Sequence, residues 1–243
     1  FKLGVWALAE KEQNVADETR PGSSFFHPEL NVREIPTLRS QVDFLLLFVH
    51  AGHEFMLTPS PRIRQAYRAF IDAGADAVVG HHPHVVQGLE RWNDGWIAYS
   101  LGNLLFDSAY VFSHDHTRLG YLLELRVGPR DVQSIELVPY HIDPSCFVRV
   151  LEAEEFDTFR TLMTDISANI VDDAVFQKQW EENIRRNWHN DYEAVFRGLS
   201  NKLFVEKDPH FPRFLNNLFT CPTHQEMMDE VTRQLQNGTL AIR

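Results

Sequence analysis

Cysteine is scarce in this chain: two residues in 243, Cys146 and Cys221, set far apart. One possible pair is no disulfide framework, and two buried thiols are expected instead. Long hydrophobic runs are missing too. The longest, Phe44 to Val49, is far too short to cross a bilayer, and no stretch reads as a signal peptide. The chain opens at Phe1 without a methionine and runs directly into Leu3-Gly4-Val5-Trp6-Ala7-Leu8, a strand already under way, so an upstream segment is expected. Positive charge is in short supply, with 23 Lys and Arg against 34 Asp and Glu. The formal net charge of -11 repels polyanions at long range, which argues against nucleic acid as a partner. A nucleophile elbow is absent as well, because no Gly-x-Ser-x-Gly surrounds the serine of Ser100-Leu101-Gly102-Asn103.

What is present is a chain with 44% hydrophobic residues, enough for one sizeable core and an appendage. Strand and helix signals alternate from Phe1 to about Ile142, and helical patterns dominate afterwards. This predicts a first unit over 1–143 and a helical extension over 144–243. Val42 to Val49 reads as a strand buried on both faces. Ser60-Pro61 supplies an N-cap and a proline in the first turn, Gly74 a stop, and Ile63, Ala66, Tyr67, Phe70 and Ile71 share one face of the helix between. A short strand, Ala77 to Val79, comes next. Asn93-Asp94-Gly95 predicts a hairpin turn with Gly95 at positive φ, and Gly128-Pro129 a second hairpin between Tyr121–Val127 and Val132–Ile142. Later helices are expected near Glu152–Ile170, Ala174–Asn187, Tyr192–Phe204 and His224–Gln236, the first with an apolar stripe of Phe156, Phe159, Leu162, Met163 and Ile166.

The two apolar strands each end in a histidine cluster: His50-Ala51-Gly52-His53-Glu54 and His81-His82-Pro83-His84. Parallel strands would bring both to one edge of the sheet, where open α/β sheets place their ligands. Neutral imidazoles on loops suit Mn, Zn or Fe, so His50, His82 and His84 are the candidate metal ligands. Pro83 is expected to hold that segment extended, so that both flanking rings lean one way. His53, Glu54, His81 and Asn103 are candidates for supporting the ligands or facing a substrate. His114-Asp115-His116 has the spacing of a metal pair but lies in a polar stretch and reads as a solvated loop. Glu10-Lys11-Glu12 and Glu181-Glu182 read as solvated faces, and the scattered His27, His141, His189, His210 and His224 as structural.

Three segments carry a resemblance: Val49 to Phe55, Ala73 to Glu90, and Ile97 to Asp107. Together they resemble the capsule-synthesis CapA (PgsA-like) family over roughly Phe1 to Ile142. The resemblance implies an α/β fold, the C-terminal portion of an α/β/β/α metallophosphoesterase-like sandwich with a mostly helical C-terminal extension. It places the family's histidine after the long buried strand on His50, its metal pair on His82 and His84, and its loop glutamate on Glu54. Ala51 stands where the family commonly has tryptophan. The family's early ligands, a Gly-Asp loop and an Asn-Asn-His segment with its Asp, would precede Phe1. The same resemblance implies a metal-dependent hydrolase of capsule or poly-γ-glutamate synthesis, with two divalent transition metal ions in the complete protein. Its substrate would be an anionic polymer or a phosphorylated compound, its setting the cell envelope, and its partners membrane polymer-synthase subunits. The alternative is a non-catalytic accessory subunit of such a synthase.

Overall fold

The computed structural model describes residues 1–11, 15–129, 131–202 and 211–241. His210, Glu12 and the last two residues of the helix expected to end at Phe204 lie outside them. Five strands form the larger sheet: β1 (Leu3–Ala9), β2 (Phe44–His50), β3 (Ala77–His81), β4 (Leu89–Trp92) and β5 (Gly95–Ala98), in the order β1-β2-β3-β5-β4. All neighbours are parallel except β4, which runs antiparallel to β5. The class is α/β, as expected. Because β2 and β3 are parallel and pair His50 with His81, both histidine clusters do emerge at one sheet edge.

Helices α1 (Pro28–Arg39) and α2 (Pro61–Asp72) cover one face of this sheet. Ile35, Ile63, Ala66, Tyr67, Phe70 and Ile71 pack there on Leu45, Leu47, Val49, Val78 and Ile97. The start and stop of α2 are those the sequence announces. Ser60 Oγ accepts the Ile63 N–H at 3.3 Å, Pro61 sits in the first turn, and Gly74 takes φ +116°. Side chains alternate along a strand, so Leu46 and Phe48 point to the opposite face, where they are only half-buried. On the neighbouring β1, Leu3 and Val5 are 50% and 55% exposed. The two-sided burial expected of β2 therefore holds at Phe44 and is incomplete at Leu46 and Phe48.

Asn93 and Asp94 alone make the β4–β5 turn, with Asn93 at φ +48° and Gly95 already paired with Trp92. Gly95 does not take positive φ, contrary to expectation. It is needed for space, because a Cβ there would lie 2.7 Å from two side-chain carbons of Ile71 on α2.

A second, antiparallel sheet joins β6 (Leu119–Gly128), β7 (Asp131–Ile142) and β8 (Val148–Val150). Since β8 pairs with β7, this sheet continues past residue 143, and the helices begin only at α3 (Ala153–Val171). Tyr121, Leu123, Leu137 and Leu151 pack against Phe159, Met163 and Ile166 of α3, whereas Phe156, expected in that stripe, is 40% exposed. Next come α4 (Asp173–Asn187), a π-helical turn over Trp188–Tyr192, α5 (Glu193–Asn201), α6 (Phe211–Thr220) and α7 (Pro222–Gln236). Trp180, Ile184, Trp188, Met227 and Val231 of this group close around Met56, which is fully buried and belongs to the loop after β2. No helix among the described residues is long and apolar enough to cross a membrane.

Candidate metal centre

The two loops beyond the sheet edge bring Glu54, His82 and His84 together. One potential ligand atom from each lies within 4.8 Å of the others, a spacing compatible with donors around a single ion. His50 joins them through His82, whose Nδ1 is 3.2 Å from His50 Nε2. Three imidazoles and one carboxylate match the donor chemistry of Mn, Zn or Fe, so the residues present fit such an ion.

Backbone conformation sets this arrangement in an unexpected way. His82 and His84 adopt φ +101° and +59°, not the extended form predicted from Pro83. Proline fixes its own φ and biases the residue before it toward extended backbone, but here the surroundings prevail: the Pro83 carbonyl accepts the Phe55 N–H at 2.9 Å, tying the two loops together. Positive φ at such residues costs about 1–3 kcal/mol each and concentrates at functional sites.

Asn103 fixes the state of His84. Its Oδ1 is 2.7 Å from His84 Nδ1, while its Nδ2 donates to the carbonyls of His84 and Thr117 at 3.1 and 3.0 Å. With the amide nitrogen so committed, Oδ1 must accept, and the His84 proton resides on Nδ1. Nε2 is left with the ring's lone pair, 3.8 Å from Glu54 Oε1. The Asn103 carbonyl accepts in turn from Tyr140 Oη at 2.8 Å, which anchors the residue to the second sheet. Burial pushes the Tyr140 hydroxyl up to about 12, so it remains a donor at neutral pH.

The remaining candidates divide. His81 closes β3 beside His50 with its ring against Phe48, and burial, then the neighbouring His50, hold it below the usual imidazole range. His53 is engaged by the helices: its Nε2 lies 3.4 Å from Glu226 Oε2 on α7 and its ring packs edge-on against Trp180 on α4. The solvated-loop reading of residues 114–116 fails for His114, whose ring stacks on Phe55 at 3.8 Å, with Phe55 stacked in turn near His84. Glu10, expected on a solvated face, is 2% exposed and pairs with Arg62 at 2.7 Å. Neither Glu226 nor the His114 contact has a local signal in the sequence, since both are made by distant segments. Beside the candidate ligands opens a cavity of about 440 Å³, lined among others by Gly52, Glu54, His82, Asn187, Tyr192 and His224.

Comparison with known proteins gives similarities in sequence. The family described as bacterial capsule synthesis protein PGA_cap matches residues 3–108, which include every candidate ligand. Capsule biosynthesis protein CapA of Bacillus anthracis is 31% identical over 166 residues, 66% of this chain and 38% of that protein. PGA biosynthesis protein CapA of Bacillus subtilis (strain 168) is 34% identical over 134 residues, 53% of this chain and 35% of its own length. The chain thus spans somewhat more than a third of these curated relatives. A Staphylococcus aureus structure described as a 5'-nucleotidase in complex with alpha-ketoglutarate covers 67% of this chain and 31% of that one at 19% identity. The TM-score of that match is 0.38. Residues 3–108 thus match the bacterial capsule synthesis protein PGA_cap family, and the chain is similar in sequence to the CapA proteins of two Bacillus species.

Proposed function

We propose that this chain carries the histidine-rich part of a metal-dependent hydrolase active in capsule or poly-γ-glutamate synthesis, with a metallophosphatase-type site. The observation that supports it most is the convergence of Glu54, His82 and His84, with His50 in contact, from two loops far apart in sequence. His50, His82 and His84 would hold a divalent ion together with Glu54, whose carboxylate offsets part of its charge. When bound, such an ion supplies Lewis-acid polarisation of a phosphoryl or acyl oxygen. Asn103 keeps the Nδ1 proton of His84 in place, so that Nε2 stays available. The adjoining cavity gives an anionic polymer or phosphorylated substrate room beside the ligands. Among the described residues the donors form one group, so a second ion would draw acidic ligands from elsewhere in the whole protein.

The test is metal analysis after chelation and reconstitution, with hydrolysis assays on p-nitrophenyl phosphate and γ-glutamyl-p-nitroanilide in the presence of Mn or Zn. Metal-dependent turnover of either supports the enzyme. Stoichiometric metal uptake without turnover by the full-length protein would favour the accessory role, and no uptake would overturn the metal reading.

A further inference from the structure

The loop that delivers Glu54 is held from the far end of the chain. Its backbone meets the larger sheet: Ala51 N–H donates to the His81 carbonyl at 3.1 Å and Phe55 N–H to Pro83 at 2.9 Å. Its side chains point elsewhere. His53 is 6% exposed, lodged between Glu226 and Trp180, and Met56 is enclosed by the α4–α7 apolar cluster. Glu226 also accepts the Arg62 N–H at 2.9 Å through its other oxygen. Arg62 reaches onward from α2 to Thr223 and Glu10, each at 2.7 Å. Thr223 Oγ1 donates to Glu10 Oε2 at 2.7 Å, and that same oxygen accepts Gly52 N–H at 3.2 Å. The circuit therefore leaves the loop at His53, passes through α7 and α2, and returns to the loop at Gly52.

A carboxylate buried this deeply is costly unless its partners are fixed, so the circuit has one low-energy geometry rather than many. Gly52, at φ +111°, adjoins His53 at the other point of attachment, and Glu54 comes directly after. Moving His53 by a fraction of an ångström would move the candidate ligand next to it. Metal affinity is sensitive to such displacement, because the groups that orient ligands typically contribute tenfold to a hundredfold.

We propose that Glu226 on α7 is a positioning residue of the metal centre, acting through His53 to set the place of Glu54, so that ion binding depends on the C-terminal helices. This rests on the metal reading above, and it lies outside the segment that matches the capsule-synthesis family.

Calorimetric titration of Mn or Zn into wild type, Glu226→Ala, His53→Ala and the double variant tests it, with amide hydrogen exchange of residues 51–55 measured on the metal-free proteins. Arg68→Gln, which breaks the buried Arg68–Glu90 pair away from the loop, serves as a control for general destabilisation. Each single variant should lose roughly tenfold to a hundredfold in affinity. The double variant should lose little more than the worse single one, because both cut the same link. Exchange at 51–55 should rise in both, and Arg68→Gln should keep wild-type affinity. Additive losses, unchanged affinity in Glu226→Ala, or an equal loss in Arg68→Gln would each overturn the proposal. Should Glu226→Ala fail to fold, Glu226→Gln replaces it in the cycle with the same expectations, since it keeps an acceptor for Arg62 while altering the contact to His53. Metal uptake absent from wild type refutes the metal reading itself; the exchange data then still decide whether Glu226 holds the loop.

Discussion

Replacing Asn103 separates the support of the metal centre from its ligands. The side chain is 7% exposed and makes three hydrogen bonds, to His84 Nδ1, the His84 carbonyl and the Thr117 carbonyl. Asn103→Ala removes all three, and an unsatisfied buried group costs about 1–3 kcal/mol. Partial rehydration of a loop beside a cavity should absorb part of this, so we expect a net loss of about 2–4 kcal/mol in unfolding free energy. The imidazole of His84 would also lose the acceptor that fixes its tautomer, and affinity for Mn or Zn should fall about tenfold to a hundredfold. Asn103→Asp distinguishes the two effects. It keeps an oxygen against Nδ1 and forfeits the donation to the two carbonyls, so it should lose stability much as alanine does yet hold metal better. Thermal denaturation and calorimetric titration of the three proteins give both quantities. Equal metal affinity in wild type and Asn103→Ala would refute the reasoning, leaving Asn103 as a packing residue of the loop.

Further expectations are as direct. The His82→Ala, His84→Ala double variant should lose the bound ion, and an unchanged metal stoichiometry by elemental analysis would sink the ligand assignment. Gly95→Ala should destabilise by about 1–3 kcal/mol through overpacking against Ile71 rather than through backbone strain, and an unaltered melting temperature would show that α2 yields freely. Burial raises the Glu226 carboxyl, but His53 and then Arg62 outweigh it and leave the group below its ordinary value near 4.5. The unfolded chain thus binds the proton more readily, so the stabilisation is complete above that value and disappears as pH falls through the lower folded one. Unfolding free energies of wild type and Glu226→Gln should converge on acidification below about pH 4.5, and a gap that stays constant would contradict it.

The histidine clusters were legible because each comes after a strand whose apolar run is contiguous, so period and position pointed to one sheet edge. Helix α2 was legible for a similar reason, carrying its own start, face and stop within a short span. Helix α1 was not: it buries only Asn31 and Ile35, carries Pro36 inside, and so has no strong stripe to read. Gly95 was misjudged since Asp-Gly suggests a turn by itself, whereas the steric demand comes from Ile71, remote in sequence. Asn103 could be named as a candidate support from its type, but its tautomer-fixing geometry needed the Thr117 and His84 carbonyls. Glu10 looked solvated for want of any local sign that Arg62 and Thr223 would enclose it. Charge partners separated by long stretches of chain leave no periodic trace, and the His53–Glu226 link between α7 and the loop after β2 is of this kind.

The uncovered side of β1 and β2 also bears on how the chain behaves at the bench. Strands of parallel sheets are ordinarily shielded on both sides, and here Leu3 and Val5 are exposed, with half-buried Leu46 in register beside Val5, on a strand that, among the described residues, is the outermost of its sheet. Such a border combines apolar area with free backbone donors and acceptors, the combination that lets one molecule template another. Taken by itself, the 243-residue chain should therefore gain mass with concentration in light scattering, despite a net charge of -11 that ought to keep copies apart. Leu3→Lys with Val5→Glu should restore a monomer without disturbing metal uptake. A chain that stays monomeric at high concentration would mean that the charge repulsion outweighs the stickiness of this border.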